Sequence, residues 1–352
     1  MRRALELAAL GGAATRPNPL VGCVIADASG RILAEGWHQR YGGPHAEVNA
    51  VAALFARPDA PRDLRGLRVF VTLEPCAHQG QTPPCADLLI HHGATEVLVA
   101  TLDPNPLVGG RGAEKLRVAG CAVSVGLLEE EARWLNHRFF TAQQAGRPWV
   151  VLKWAQSADG FLARPDGRPT PITGEPARRL VHRWRTEEAA ILVGAGTARA
   201  DNPRLDARHW PGPAPVRVVL VNAQPLPAAL HVLMDEVPTL IYGRAAILPA
   251  PSLAVSAIAV PPGATVLPFV LVDLHGRRLH SVLVEGGATV LNAFLAADLW
   301  DELRVLTNPA LRLGSGISAP RVPATAHCHA TARLGGDTVN EYQRQTSAPA
   351  AR

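Results

Sequence analysis

Pro44-His45-Ala46-Glu47 opens a helix-like run to Phe55, a strand-like segment follows over 67–73, and then come Glu74-Pro75-Cys76 and Pro83-Pro84-Cys85. One His and two Cys form the donor set of a tetrahedral zinc ion with one position left open for water. Glu47 lies two residues past His45, so it does not share the His45 ligand direction, but it reaches a water on the same ion. Zinc brings the pKa of such a water towards neutrality, which yields a nucleophile. The plain alternative makes His45 a helix N-terminal residue and the cysteines small buried hydrophobes. It leaves two separate Pro-Cys pairs after His-x-Glu unexplained. No fourth Cys or His stands at the short spacing of a closed structural site, so the site is open and catalytic.

The 352 residues exceed one ordinary core and predict two domains. A hydrophobic content of 47% with 18% charged residues describes a globular protein that buries two cores. No apolar run approaches the ~18–20 residues of a membrane span. The N-terminus is basic, but Glu6 and Gly11-Gly12 interrupt its apolar run, so it predicts an amphipathic helix and not a signal peptide. Five cysteines, two of them assigned to metal, suit a reducing cytoplasm better than a disulfide framework. A net charge of +5 admits nucleic acid, yet only 5% of residues are aromatic and no Lys/Arg run is long. A phosphorylated small molecule explains the surplus of Arg as well.

Around this segment the first half alternates helix and strand. Residues 4–10 predict a helix, and 20–26 and 31–36 a pair of strands. The metal loop at 42–45 leads into the helix that follows. Strand 67–73, helix 84–92 and strand 96–102 continue the pattern of a sheet covered by helices. Asn18, held between Pro17 and Pro19, is an amide aimed at a ring edge or a simple turn residue. Asp103-Pro104-Asn105-Pro106 falls at a strand's carboxyl end, where α/β ligands bind. Val108-Gly109-Gly110-Arg111-Gly112 is too loose for a dinucleotide fingerprint and is expected to be a turn near substrate. One amphipathic helix is expected over 127–144, with Gly146-Arg147-Pro148 breaking the pattern at a boundary within 142–148.

His-x-Glu followed by Pro-Cys is the pattern of zinc deaminases. Thr-Arg-Pro-Asn-Pro, Gly-Trp-His, Pro-His-Ala-Glu-Val, Thr-Leu-Glu-Pro-Cys, Gly-Gln-Thr-Pro-Pro-Cys and Asp-Pro-Asn-Pro occur in order. Together they resemble the bifunctional riboflavin-biosynthesis deaminase/reductase family. The eight residues between Cys76 and Cys85 set it apart from cytidine and tRNA-adenosine deaminases, which usually carry Cys-x-x-Cys. The resemblance implies that His45, Cys76 and Cys85 bind zinc and that Glu47 shuttles protons. It implies that Asn18, His38, His78, Asp103 and Asn105 hold the pyrimidine and its ribose phosphate. Gln81 stands where the family commonly has Lys or Arg.

In the second half, 149–155, 189–193, 216–221, 239–242, 253–260 and 281–285 predict buried strands, and 301–307 and 333–342 closing strands. A helix over 175–186 carries Arg178, Arg179, Arg183 and Arg185, which form either a solvated face or a phosphate-binding face. Glu285-Gly286-Gly287 opens a second helix over 288–299, a turn that lets backbone N–H groups close on an anion. Leu152-Lys153, Ser157-Ala158-Asp159-Gly160, Ile172-Thr173-Gly174, Ala177-Arg178-Arg179, the run 197–208 and Glu285-Gly286-Gly287 resemble the reductase partner of the same family. Its fold is like dihydrofolate reductase. That resemblance implies NADPH contacts at Gln156, Thr197, Asp201, Gly287, Ala288, Thr289, Val290, Leu291, Asn292 and Ala293. It implies contacts to the ribitol-phosphate end of the substrate at Arg185, Leu205, Arg208 and Glu285. Lys153 is a candidate proton source or a structural Lys. Pro171 stands where the family often has Trp before Ile-Thr.

The expected architecture is therefore α/β throughout. A cytidine-deaminase-like α/β/α sandwich (1–144) precedes a dihydrofolate-reductase-like α/β domain (148–345), with a disordered tail (346–352). The expected activity is zinc-dependent deamination of a phosphoribosylated diaminopyrimidinone, followed by NADPH reduction of its ribosyl group to ribityl. A cytoplasmic homo-oligomer acting on a phosphorylated pyrimidine, with no nucleic-acid or membrane partner, completes the expectation. A nucleic-acid base deaminase would leave 201–208 and Glu285-Gly286-Gly287 unexplained, and a zinc-stabilised binding protein would have no use for Glu47.

Overall fold

The computed structural model describes residues 1–59, 61–77, 83–105, 108–166, 170–222 and 224–344. His78, Gln81 and the tail 346–352 lie outside the described residues. The chain divides into two compact units, Met1–Gly146 and Arg147–Arg352.

The first unit runs α1 (Arg2–Ala9), β1 (Gly22–Ala26), β2 (Ile32–Trp37), α2 (Ala46–Phe55), β3 (Arg68–Val71), α3 (Cys85–His91), β4 (Glu96–Val99), α4 (Arg111–Val118), β5 (Ala122–Val125), α5 (Glu129–Leu135) and α6 (His137–Ala145). Its five strands are ordered β2-β1-β3-β4-β5, antiparallel at β2/β1 and β1/β3 and parallel from β3 to β5. Both faces of β1 are covered, which explains its continuous apolar run. Cys23 and Ile25 join the core that also holds Leu54 of α2 and Leu89 of α3, while Val24 meets Ala4 and Leu7 of α1 on the other face. Full burial of Leu side chains such as these contributes ~1.5–3 kcal/mol each. Gly36 lets α2 lie close on β2: a Cβ there would meet Ala50 N at 2.3 Å and Ala46 O at 2.5 Å.

The single helix expected over 127–144 is two helices, broken at Asn136. The Asn136 amide accepts the Leu20 N–H at 2.8 Å and donates to the Leu20 carbonyl at 2.8 Å. That pairing with a distant strand entry accompanies a non-helical backbone, φ −108° and ψ 19°.

The second unit runs β6 (Trp149–Ser157), β7 (Phe161–Ala163), α7 (Glu175–Glu187), β8 (Ala190–Gly194), α8 (Ala195–Asp201), β9 (Val216–Leu220), α9 (His231–Met234), β10 (Thr239–Gly243), β11 (Val255–Ala259), α10 (Val266–Gly276), β12 (Ser281–Gly286), α11 (Ala288–Ala296), β13 (Glu302–Asn308), β14 (Ile317–Ser318), β15 (Ala326–Leu334) and β16 (Asp337–Arg344). Nine strands form one sheet, β11-β10-β9-β8-β12-β6-β13-β16-β15, and β7 pairs with β14 separately. The strands from β11 to β13 are parallel, and the last two antiparallel. Alternate residues face opposite layers: Val150 and Leu152 join α10 and α11 residues in one core, and Val151 joins Ala177, Val181 and Trp184 of α7 in another. β12 lies between β8 and β6, from which the sheet extends in opposite directions, so their carboxyl ends flank a topological switch point.

Two strand expectations are corrected. The segment 333–342 is not one strand: it holds the last two residues of β15, the turn at Gly335-Gly336 and the first six residues of β16. The segment 253–260 is not a buried strand: β11 forms the edge of the sheet and only Val255 in it is fully buried. Helices α8 and α10 occupy segments for which no helix was expected. No helix among the described residues is long and apolar enough to cross a membrane.

Candidate functional sites

His45 is the residue immediately before α2, in extended geometry, and Cys85 is the first residue of α3. His45 Nδ1 lies 3.6 Å from Cys76 Sγ and 3.3 Å from Cys85 Sγ, and the three donor atoms all fall within 4.8 Å of one another. Tetrahedral zinc with ordinary Zn–N and Zn–S bonds would set N and S roughly 3.6 Å apart, so the cluster fits that ion. The Cys85 N–H donates to Cys76 Sγ at 3.3 Å. Hydrogen bonding from Cys85 holds the Cys76 thiol down at about 4, and the same shared proton raises Cys85. All five cysteines are free.

Glu47, in the first turn of α2, is only 3% exposed. Burial pushes its carboxyl up to about 7, and a cation held beside it would pull it back towards the ionised form. Asn18 and His38 are joined: Asn18 Nδ2 donates to His38 Nε2 at 3.2 Å, and His38 Nδ1 donates to the Pro44 carbonyl at 3.0 Å. Those partners fix the Nδ1–H tautomer, and burial lowers the His38 pKa, so the ring is neutral. His38 therefore steadies the residue before the ligand His45. Asp103 and Asn105 sit beyond the end of β4, with the Asn105 N–H donating to Asp103 Oδ1 at 2.8 Å.

In the second unit, Gln156, Thr197 and Gly287 stand at or just past the carboxyl ends of the parallel neighbours β6, β8 and β12. A Cβ on Gly287 would come within 3.0 Å of Thr197 Oγ1. Gly196 is exposed with open space around it, whereas Gly194 is buried and a Cβ there would meet Val290 Cγ2 at 2.7 Å. The residues 287–293 do not form one surface. Leu291 is buried in the core and Val290 packs against it, whereas Thr289, Asn292 and Ala293 are exposed. A helix turning 100° per residue presents only one side to a cofactor, so this run divides between core and surface. Gln156 Oε1 accepts the Trp154 indole N–H at 2.9 Å, and Asp201 is exposed at the end of α8.

A cavity of about 270 Å³ is lined by Lys153, Arg178, His182, Arg185, Leu205 and Arg208, among others. Arg185 makes a bidentate pair with Glu285, Nε to Oε1 at 2.7 Å and Nη2 to Oε2 at 2.9 Å, and its Nη1 donates to the Asp206 carbonyl at 2.9 Å. Lys153 Nζ lies 3.8 Å from Glu285 Oε2. Burial alone would raise the Glu285 carboxyl, but Arg185 and Lys153 outweigh it and hold it at about 2. The four arginines of α7 split: Arg178 and Arg185 line this cavity, while Arg179 and Arg183 line another groove and Arg183 pairs with Glu187. Leu205 is 2% exposed and holds φ +52°, a rare conformation for a bulky residue.

Residues without a role in the sequence reading also enter these sites. His182 meets His209 edge-on at 4.6 Å between centroids, and burial and Arg185 lower it to about 4. Glu74 is buried between Cys76 and the loop after β4. Its only signal in the sequence is a carboxylate within an otherwise apolar strand end, two residues before a ligand.

Residues 1–101 match the family model for the cytidine and deoxycytidylate deaminase zinc-binding region, and 148–328 match that for the RibD C-terminal domain. The riboflavin biosynthesis protein RibD of Aquifex aeolicus is 40% identical over 322 residues, covering 90% of this chain and 88% of that protein. RibD of Escherichia coli is 38% identical over 332 residues, with the same shares. Among solved structures, the Thermotoga maritima diaminohydroxyphosphoribosylaminopyrimidine deaminase/5-amino-6-(5-phosphoribosylamino)uracil reductase aligns with TM-score 0.88 at 36% identity, covering 98% of this chain and 97% of that one.

Proposed function

The chain belongs to the RibD family of bifunctional riboflavin-biosynthesis deaminase/reductases, and we propose that its first unit carries the deaminase site and its second the reductase site. It deaminates a phosphoribosylated diaminopyrimidinone and reduces the ribosyl group to ribityl, with zinc and NADPH as cofactors. The observation that carries the deaminase assignment is the convergence of His45, Cys76 and Cys85 beside buried Glu47.

Zinc, when bound by those three residues, supplies a Lewis acid that acidifies water. Glu47 takes the proton of the attacking water and returns it to the departing ammonia. Asn18, with one amide N–H committed to His38, keeps its oxygen for a ring N–H, and Asp103 and Asn105 help to hold the pyrimidine and its ribose phosphate. In the second unit NADPH, when bound, supplies the hydride. Gly287 and the first turn of α11 would hold its phosphates, with Thr197 and Asp201 among its other contacts. The cavity with Arg185, Leu205 and Arg208 takes the ribose phosphate, a doubly anionic group suited to an arginine-lined wall. Glu285 positions Arg185 and Lys153, and Lys153 is the nearest candidate proton source. A cytoplasmic location suits the five free thiols, and the exposed edge strand β15 offers a homo-oligomer a pairing surface.

The test is NADPH consumption by zinc-loaded protein given the undeaminated pyrimidine phosphate. Oxidation is expected, and it should stop on zinc removal and resume when the deaminated intermediate is supplied. Oxidation of the undeaminated compound that survives complete zinc removal would overturn the assignment. Cys85→Ser is expected to lower bound zinc well below one ion per chain, read by elemental analysis, because one of the three protein donors gathered among the described residues is lost.

A further inference from the structure

Glu74 makes four hydrogen bonds that tie together separate parts of the deaminase unit. Its Oε2 accepts the backbone N–H of Asp103 at 3.0 Å and of Gly110 at 2.8 Å, and its Oε1 accepts those of Gly112 at 2.8 Å and Ala113 at 3.0 Å. Gly112 and Ala113 belong to the first turn of α4, whose N–H groups have no acceptor within the helix. Gly110, the residue before that helix, offers no side-chain cap and holds φ +83°. The cap comes instead from Glu74, near the end of another strand. The Glu74 N–H also donates to the Thr101 carbonyl at 3.0 Å, so backbone and side chain both face the segment leading into Asp103.

The glycines expected to form a turn near substrate serve this contact. A Cβ on Gly112 would meet the Pro75 carbonyl oxygen at 1.9 Å, and one on Gly109 would meet that of Asp103 at 2.6 Å. The N–H groups of Gly110 and Gly112 are occupied by Glu74, so they are not offered to a phosphate. Cys76, a zinc donor, lies two residues beyond Glu74. We infer that Glu74 is a positioning residue of the deaminase site, fixing the Asp103–Asn105 loop against the segment that carries Cys76. The loop's role rests on the deaminase reading above.

Only a carboxylate suits four donors, since each oxygen accepts two and neither donates. Glu74→Gln has nearly the same shape but turns an NH2 group towards two backbone N–H groups. In full-length zinc-loaded protein it is expected to raise KM for ammonia release by about tenfold while kcat changes by less than about threefold. Zinc content and NADPH oxidation with the deaminated intermediate should match wild type. Amide exchange at Asp103, Gly110, Gly112 and Ala113 should quicken. Glu74→Asp keeps the acceptors on a shorter arm and should fall between; if the Gln protein does not fold, a raised KM in the Asp protein with zinc retained decides for the inference. An unchanged KM in the Gln variant, or in the Asp variant where Gln is insoluble, overturns it and leaves Glu74 a helix cap alone. Wild-type protein that binds zinc but releases no ammonia would overturn the deaminase reading; the Glu74 tie would then be judged by whether those four amides exchange faster in the variant.

Discussion

Glu47→Gln is expected to keep its zinc and lose ammonia release by roughly 10²–10⁴-fold, the span of a general acid–base group. The substitution keeps the size of a side chain that is buried in the first turn of α2, so the donors His45, Cys76 and Cys85 should stay in place. What it removes is a group able to take a proton and give it back. Burial pushes that carboxyl up to about 7, and a cation held beside it would draw it back towards the ionised form that accepts a proton. NADPH oxidation should be unaffected when the deaminated intermediate is supplied, and abolished with the undeaminated compound. Zinc analysis with both assays checks the result. A Glu47→Gln protein that binds zinc and keeps full turnover would remove Glu47 from the mechanism.

The zinc donors were legible because His, Cys and Cys are rare ligand-bearing residues, and the intervening helix and strand have lengths that return the chain to one edge. The buried strand β1 was legible for a simpler reason: covered on both faces, it is apolar throughout. Other features depend on partners far along the chain. Nothing local breaks a helix at Asn136; its amide is drawn to both backbone groups of Leu20. Helix α10 begins with the run Val-Leu-Pro-Phe-Val-Leu, whose apolar continuity hides any helical period and whose early Pro268 suggests a break. β15 is exposed along nearly its whole length, so alternation does not mark it.

The sites show the same division. Residue type alone pointed to Glu47, but the pairing of Glu285 with Arg185 spans a hundred positions and becomes visible only when α7 lies beside β12. The arginines of α7 were ambiguous between a solvated and a ligand face because both are present: Arg178 and Arg185, seven residues apart, share one side, and Arg179 and Arg183 another. His182 gave no signal because a lone His on an amphipathic helix usually packs or faces solvent.

Glu285→Ala is expected to cost the second unit about 3–5 kcal/mol and to abolish reduction. Arg185 and Lys153 are each only 13% exposed in their side chains and Glu285 9%. Removing the carboxylate leaves two cations buried side by side, with Arg185 keeping only the Asp206 carbonyl among its partners here. Urea unfolding followed by Trp fluorescence reads this directly, because Trp149, Trp154, Trp184, Trp210 and Trp300 lie in the second unit against Trp37 and Trp134 in the first. The effect should depend on pH with a definite sign. Glu285 is held at about 2 in the folded chain, below its ordinary value of 4.5, so its stabilisation is complete above pH 4.5 and is lost as pH falls towards 2. The gap between wild type and Glu285→Ala should therefore be constant near neutrality and narrow below pH 4.5. An unchanged unfolding midpoint at pH 7 would mean that the three charges are not coupled as their geometry requires, and the arginine-lined cavity would lose its anchor.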